Sequence, residues 1–172
     1  FDITTSINEG RFYVLHRDHG FTGGWGDPYF STSEFNLLNN TDKYPVVFSI
    51  NCSSGKFYYD QCFSEEFLKF KNKGAVGVVG ASNTSYSGYN DGLAIGFFDA
   101  IWSSPGLNPD FGSAGISNPA NTPHSDIHRM GDVLNHGLTR MTETYGDLPY
   151  QYELFHYFGD PAMKIWTDYP DS

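Results

Sequence analysis

His19 and Cys52 are the two side chains whose surroundings best suit chemistry. Each follows a run of apolar or aromatic residues that reads as a strand. Each then enters a small-residue turn, Asp18-His19-Gly20 in one place and Asn51-Cys52-Ser53-Ser54-Gly55 in the other. A thiol is a weak nucleophile until it loses its proton, and a neighbouring imidazole can take that proton. Gly20 leaves the backbone N–H after the histidine unobstructed, and with the Cys52 N–H it offers two donors to a tetrahedral oxyanion. Taken singly, a cysteine at a strand end is more often a small buried hydrophobe, and a histidine more often a satisfied polar residue.

A second constellation is made of His124, His128, Asp132 and His136, at steps of four along a stretch predicted to be helical over 126–144. Residues so spaced share one helix face, as paired metal-ligating histidines do. A solvated polar face is the competing account, because neither a completing ligand nor supporting partners are visible.

The elements that would position His19 and Cys52 follow from hydrophobic pattern. Strands are predicted over 11–16, 45–50 and 75–80, the last apolar throughout, as expected where both sheet faces are covered. A glycine-rich loop spans 23–28, and Ser31 or Thr32 caps a short helix over 34–38. A helix over 62–72 carries Phe63, Phe67 and Phe70 on one face and stops at Gly74. Further helices are predicted over 91–102 and 126–144, a loop over 103–123, a turn at Gly159-Asp160-Pro161, and a closing strand over 163–166. Alternating strands and helices imply an α/β fold with a mostly parallel sheet and helices on both faces. In such sheets ligands bind at the C-terminal strand ends. One right-handed crossover between the first two strands then sets His19 beside Cys52.

Bulk properties narrow the classes. The 172 residues suit a single domain, and 17% aromatic residues against 17% charged ones allow a well-packed interior rather than disorder. A net charge of −10 disfavours nucleic acid and suits cationic partners such as calcium. No apolar run approaches the roughly 20 residues of a membrane span. Cys52 and Cys62 are too few for a disulfide framework, and either a pair or two separate roles fits them. Abundant Asn, Gly and Ser with few Lys suit a secreted protein. The abrupt start at Phe1-Asp2-Ile3 reads as a processed or truncated piece.

Several segments, in order from Arg11 to Trp166, resemble the gingipain family of cysteine peptidases. They are Asp18-His19-Gly20, Trp25-Gly26, Asn51-Cys52, Gly55-x-Phe57, Cys62-Phe63-x-Glu65, Gly74-Ala75-Val76, Ala81-Ser82 and Phe158-Gly159-Asp160-Pro161. The resemblance implies a caspase-like fold over 1–172, or the C-terminal portion of such a domain. Cys52 is then the nucleophile, His19 the general base and acid, and the N–H groups of Gly20 and Cys52 the oxyanion hole, with no cofactor required. Cys62 stays a free structural thiol. The family's catalytic domain begins before the strand at Arg11 and holds an acidic partner for the histidine there, so an upstream segment or second chain is expected to complete the site.

Arg17, Ile50, Tyr86, Asp91 and Trp25 form the candidate substrate-binding set. Asp91 matches an acid that reads a basic P1 side chain, whereas Arg17 would favour an acidic one; a helix N-cap and a surface charge are their bland alternatives. Trp25 and Tyr86 either wall the cleft or pack in the core. Asp27, Asp42, Asp60 and Asp99 are candidate calcium ligands by resemblance alone, and no metal-ligand set is assigned. The expected partner is a peptide or protein substrate, in an extracellular or cell-surface setting. A non-catalytic subunit of a larger assembly and a metal-dependent hydrolase built on the histidine face are the competing readings.

Overall fold

The computed structural model describes residues 2–103 and 124–168, so most of the predicted loop over 103–123 lies outside the described residues. The chain divides into two compact units, Phe1–Ser85 with Leu154–Asp160, and Tyr86–Glu153 with Pro161–Ser172.

The first unit is built on a four-stranded sheet of order β1-β5-β6-β7, namely Tyr13–His16, Val46–Ser49, Gly77–Ala81 and Phe155–Phe158. β1, β5 and β6 are parallel, with His16 opposite Ser49 and Ser49 opposite Gly80. β7 runs antiparallel to β6, pairing Phe155 with Ala81. Every residue of β5 and β6 is buried, which is why these strands read as unbroken apolar runs. The strand near the C-terminus thus lies before the Gly159-Asp160-Pro161 turn, not over 163–166 as predicted. Among the described residues that later stretch makes a single bridge, Arg129 with Lys164.

Where a glycine-rich loop was predicted, three two-residue strands form a small antiparallel sheet: β2 (Gly20–Phe21), β3 (Gly24–Trp25) and β4 (Phe30–Ser31). The small sheet carries Trp25 and Phe30 inward, at 2% and 1% exposure. They join Phe35, Phe63 and Phe67 in one aromatic cluster, with ring centroids from 4.3 Å (Phe35–Phe67) to 6.1 Å (Phe30–Phe63) apart. Such tilted contacts suit the ring quadrupoles.

Ser31 caps a 3-10 helix over Thr32–Leu37 through a reciprocal box with Glu34. Helix α1 (Ile3–Glu9), capped by Asp2, was not expected and buries Ile7. Helix α2 (Phe63–Lys69) is shorter than predicted, because the Ala75 N–H turns back onto the Phe67 carbonyl at 3.0 Å and Gly74 adopts φ 106.

The second unit is helical. α3 (Ser87–Ile101) and α4 (Met130–Tyr145) lie antiparallel, as Gly88 approaches Tyr145, Gly92 approaches Met141 and Gly96 approaches Gly137. A short α5 spans Pro149–Glu153. α3 begins four residues before the predicted start, so Asp91 sits within the helix and Tyr86 takes the N-cap position.

α4 begins four residues later than expected, because backbone groups of 127–131 are engaged elsewhere. Ile127 N–H donates to Ala100 O, Ile165 N–H to His128 O, Met130 N–H to Met163 O and Gly131 N–H to Pro161 O. Tertiary hydrogen bonds here override local helix preference. His124 and His128 therefore precede the helix, and the predicted four-residue face does not form.

Candidate active site

β1 and β5 are neighbours, and the loops leaving their C-terminal ends carry His19 and Cys52. The Ile50 N–H donates to the His16 carbonyl at 2.8 Å, continuing the ladder one step beyond the strands. The two loops then touch: a Cβ on Gly20 would collide with the Asn51 carboxamide. Only glycine after His19 lets the two turns approach so closely.

The Cys52 turn is held on three sides. Ser53 N–H donates to Asn83 O at 3.0 Å, Gly55 N–H to Ala81 O at 2.9 Å, and Ser64 N–H to Ser54 O at 3.0 Å. Ser53 takes φ 61, a left-handed conformation uncommon for a residue with a side chain. Backbone strain of this kind persists only where the surroundings over-determine it. The half-exposed Cys52 Sγ lies 3.7 Å from the Ser85 carbonyl. Its N–H donates to no acceptor among the described residues.

His19 stands out in solvent, its side chain 92% exposed, with Nε2 4.0 Å from Asp18 Oδ1. Asp18 also accepts the His19 N–H at 2.6 Å, and Gly26 N–H donates to His19 O. The backbone of the histidine is therefore fixed while its ring is loose. His19 and Cys52 share no hydrogen bond; in unliganded sites such pairs are often long and tighten on substrate.

Beneath the two turns lies a buried polar network that sequence reasoning missed. The Asn51 amide donates to His16 Nδ1 at 2.8 Å and to Ser49 Oγ at 2.9 Å. Trp25 Nε1 also donates to Ser49 Oγ at 2.8 Å, and Ser49 Oγ meets Ser54 Oγ at 2.9 Å. His16 stacks on Trp25 at 4.5 Å and faces the Asp27 carbonyl through Nε2 at 3.2 Å. Since Nδ1 accepts from Asn51, the proton sits on Nε2. Burial pushes the His16 pKa down, outweighing the opposing pull of the Asp27 carbonyl and of the Asp18 and Asp27 charges. A signal was present: Ser49 and Asn51 are polar residues two apart at the end of an apolar strand, hence on one face.

Of the substrate-binding set, Ile50 is fully buried and Trp25 nearly so, taking the core-packing alternative under His16. Arg17 is half-buried and lines, with Tyr13, Asp18 and Asp27, a cavity of about 430 Å³ flanked by α1 and β1. Neither Cys52 nor His19 reaches that cavity. In the second unit, Tyr86 is 51% exposed and packs against Tyr150, while Asp91 is half-buried in the second turn of α3.

Cys52 and Cys62 are both free thiols. Cys62 is 1% exposed, donates to Glu65 Oε2 at 3.4 Å, and has its thiol pushed up to about 11, chiefly by burial. Asp27, Asp42 and Asp60 are exposed and join no cluster of metal-ligand side chains among the described residues. Asp99 does, with His124 and His136.

The model of peptidase family C25 matches residues 1–166. Lys-gingipain W83 of Porphyromonas gingivalis is 27% identical over 175 residues, covering 96% of this chain and 10% of that protein. Another Lys-gingipain of the same species, from strain HG66, is 25% identical over the same share of the chain. The crystal structure of the Arg-specific cysteine proteinase gingipain R matches with a TM-score of 0.81 at 21% identity, over 96% of this chain and 36% of that one. The complex of Porphyromonas gingivalis RgpB pro- and mature domains gives 0.78 at 20% identity. At such identities the structural likeness speaks for the fold, a mostly parallel α/β sheet with helices. The chain thus spans about a tenth of the relatives' sequences and about a third of the structural neighbours.

Proposed function

Because this chain belongs to peptidase family C25, we propose that it carries the nucleophile and base of a cysteine endopeptidase, Cys52 and His19. The observation that carries the reading is the contact of the two turns, Gly20 against Asn51, at the shared edge of adjacent parallel strands.

In the proposed reaction His19 takes the Cys52 proton as sulfur attacks the scissile carbonyl. The oxyanion is met by the N–H groups of Gly20 and Cys52. Collapse breaks the C–N bond as the His19 imidazolium protonates the leaving amine, leaving a thioester on Cys52. Water, deprotonated by His19, then releases the acid and regenerates the thiol. No cofactor enters these steps.

The substrate is a peptide or protein. Arg17, Tyr86 and Asp91 remain the candidates for reading it. β1 is an edge strand among the described residues, with Leu15 43% exposed. Such an edge supports completion of the sheet and of the histidine's acidic partner by an upstream segment or second chain. The reading includes an extracellular or cell-surface setting, supported by composition; no helix among the described residues is long and apolar enough to cross a membrane.

Labelling with peptidyl acyloxymethyl ketones carrying Lys, Arg, Asp or Asn at P1, followed by mass mapping, tests the assignment. The expected adduct is on Cys52 alone, since the Cys62 thiol is protonated at neutral pH, and it disappears in His19→Ala. Equal, sluggish alkylation of both cysteines, indifferent to His19, would replace this reading by the non-catalytic subunit.

A further inference from the structure

We propose that Asp99, His124 and His136 form a binding site for a divalent first-row transition ion, best suited to Zn2+. The site lies wholly in the helical unit and is independent of the peptidase chemistry. It joins α3, α4 and the stretch preceding α4.

Asp99 is 1% exposed, and its Oδ2 receives both imidazoles, His136 Nε2 at 2.8 Å and His124 Nε2 at 3.4 Å. The three ligand atoms lie within 4.8 Å of one another, and the two rings stand 4.4 Å apart. Ligands of a tetrahedral zinc stand about 2.0–2.2 Å from the ion and so about 3.3–3.5 Å from one another. Opening the Asp99–His136 contact from 2.8 Å to that spacing takes a shift of about half an ångström, and the two imidazole nitrogens, within 4.8 Å of one another, must settle at the same spacing.

The hydrogen-bond pattern around His124 leaves a place for a cation. His124 Nδ1 lies 3.0 Å from the Ser125 carbonyl and so donates to it. A neutral His124 ring then turns a lone pair, not a proton, toward the Asp99 carboxylate. Either a second proton on His124 or a metal cation can hold those two acceptors together, and the metal is the proposed occupant. The Nδ1-to-carbonyl bond is also the usual outer support of a metal-bound histidine, fixing tautomer and ring orientation.

Charge points the same way. Arg140 Nε lies 3.4 Å from Asp99 Oδ2 and its Nη1 3.2 Å from Glu143 Oε2, so one guanidinium faces two carboxylates. With neutral imidazoles the group keeps one formal negative charge. Asp99 Oδ1 is buried with no hydrogen-bond partner among the described residues, an acceptor to which Arg140 can move when the ion takes Oδ2. Nitrogen and carboxylate donors favour a borderline transition ion over calcium, which takes oxygen ligands.

Cobalt titration of the untagged chain, in a Cys52→Ser background so that the active-site thiol does not compete, reads the site directly. One Co2+ per chain is expected, with visible absorption of a low-coordinate nitrogen–oxygen site, displaced by Zn2+. Zinc is expected to raise Tm, by an amount that grows with the logarithm of its excess over Kd. His124→Gln and His136→Gln are each expected to weaken binding by at least about 100-fold, the upper end of what losing an outer partner alone costs. Both rings are partly exposed, at 19% and 17%, and circular dichroism verifies that the variants fold. No bound cobalt, or cobalt bound by both variants as tightly as by the chain that keeps both histidines, overturns the proposal.

Discussion

A histidine placed where it must stay neutral links the chemistry of one residue to the stability of the site. His16 is 5% exposed, accepts from Asn51 at Nδ1, and has its pKa lowered mainly by burial. A proton added at Nδ1 would set two donors against each other and add a charge to the interior. The unfolded chain takes up that proton near its ordinary value of about 6.5, while the native state resists until lower pH. The unfolded state then holds more protons, so stability rises with pH in this window. His16's contribution is present in full above about pH 6.5 and is lost as the pH falls toward its depressed native pKa. Urea unfolding between neutral and mildly acidic pH is therefore expected to show a decline that is shallower in His16→Gln. Equal slopes in the two proteins would mean that His16 does not couple the Asn51–Cys52 turn to protonation.

At the scale of elements, the approach of α3 to α4 depends on a glycine stripe, Gly88, Gly92 and Gly96, at four-residue steps. A Cβ at Gly96 would stand 2.8 Å from Gly137 Cα and 2.9 Å from Arg140 Cβ. Intrinsic propensity favours Gly96→Ala by about 1 kcal/mol, whereas overpacking against backbone costs about 1–3 kcal/mol. The second effect is expected to win, giving a net loss in urea unfolding; a stabilised variant would show that the helices can part freely. This stripe was not read from the sequence, because the helix predicted over 91–102 left Gly88 outside it, whereas β1, β5 and β6 were legible, since their apolar runs leave one structural option. The placement of His19 and Cys52 in loops at adjacent strand ends was legible for the same reason. The β2–β4 sheet was not, because two-residue strands carry no period. Nor was the start of α4, which is set by partners at 100 and 161–165, nor the meeting of Asp99 with His124 and His136, which needs α3 packed on α4.

For the whole molecule, the deciding quantity is the excess of 20 acidic over 10 basic residues. Such a field draws cationic ligands and repels anionic ones over distances comparable to the Debye length, about 10 Å at 0.1 M salt. The proposed role of Arg17 would oppose it locally: two residues from His19, a guanidinium that reads substrate would favour an acidic side chain at short range, where salt screens least. The two influences separate by ionic strength. At low salt a Lys-P1 ketone is expected to label Cys52 faster than a neutral analogue, by up to about tenfold. Raising the salt to about 1 M, where the Debye length is about 3 Å, should remove that advantage. An Asp-P1 probe is expected to show the reverse trend, gaining rate as the acidic surface is screened. Whatever preference survives at high salt belongs to the pocket itself, and its loss in Arg17→Ala would assign it to that residue. If the rates of both charged probes ignore salt, the net charge plays no part in bringing substrate to Cys52, and selection rests entirely on groups within contact distance.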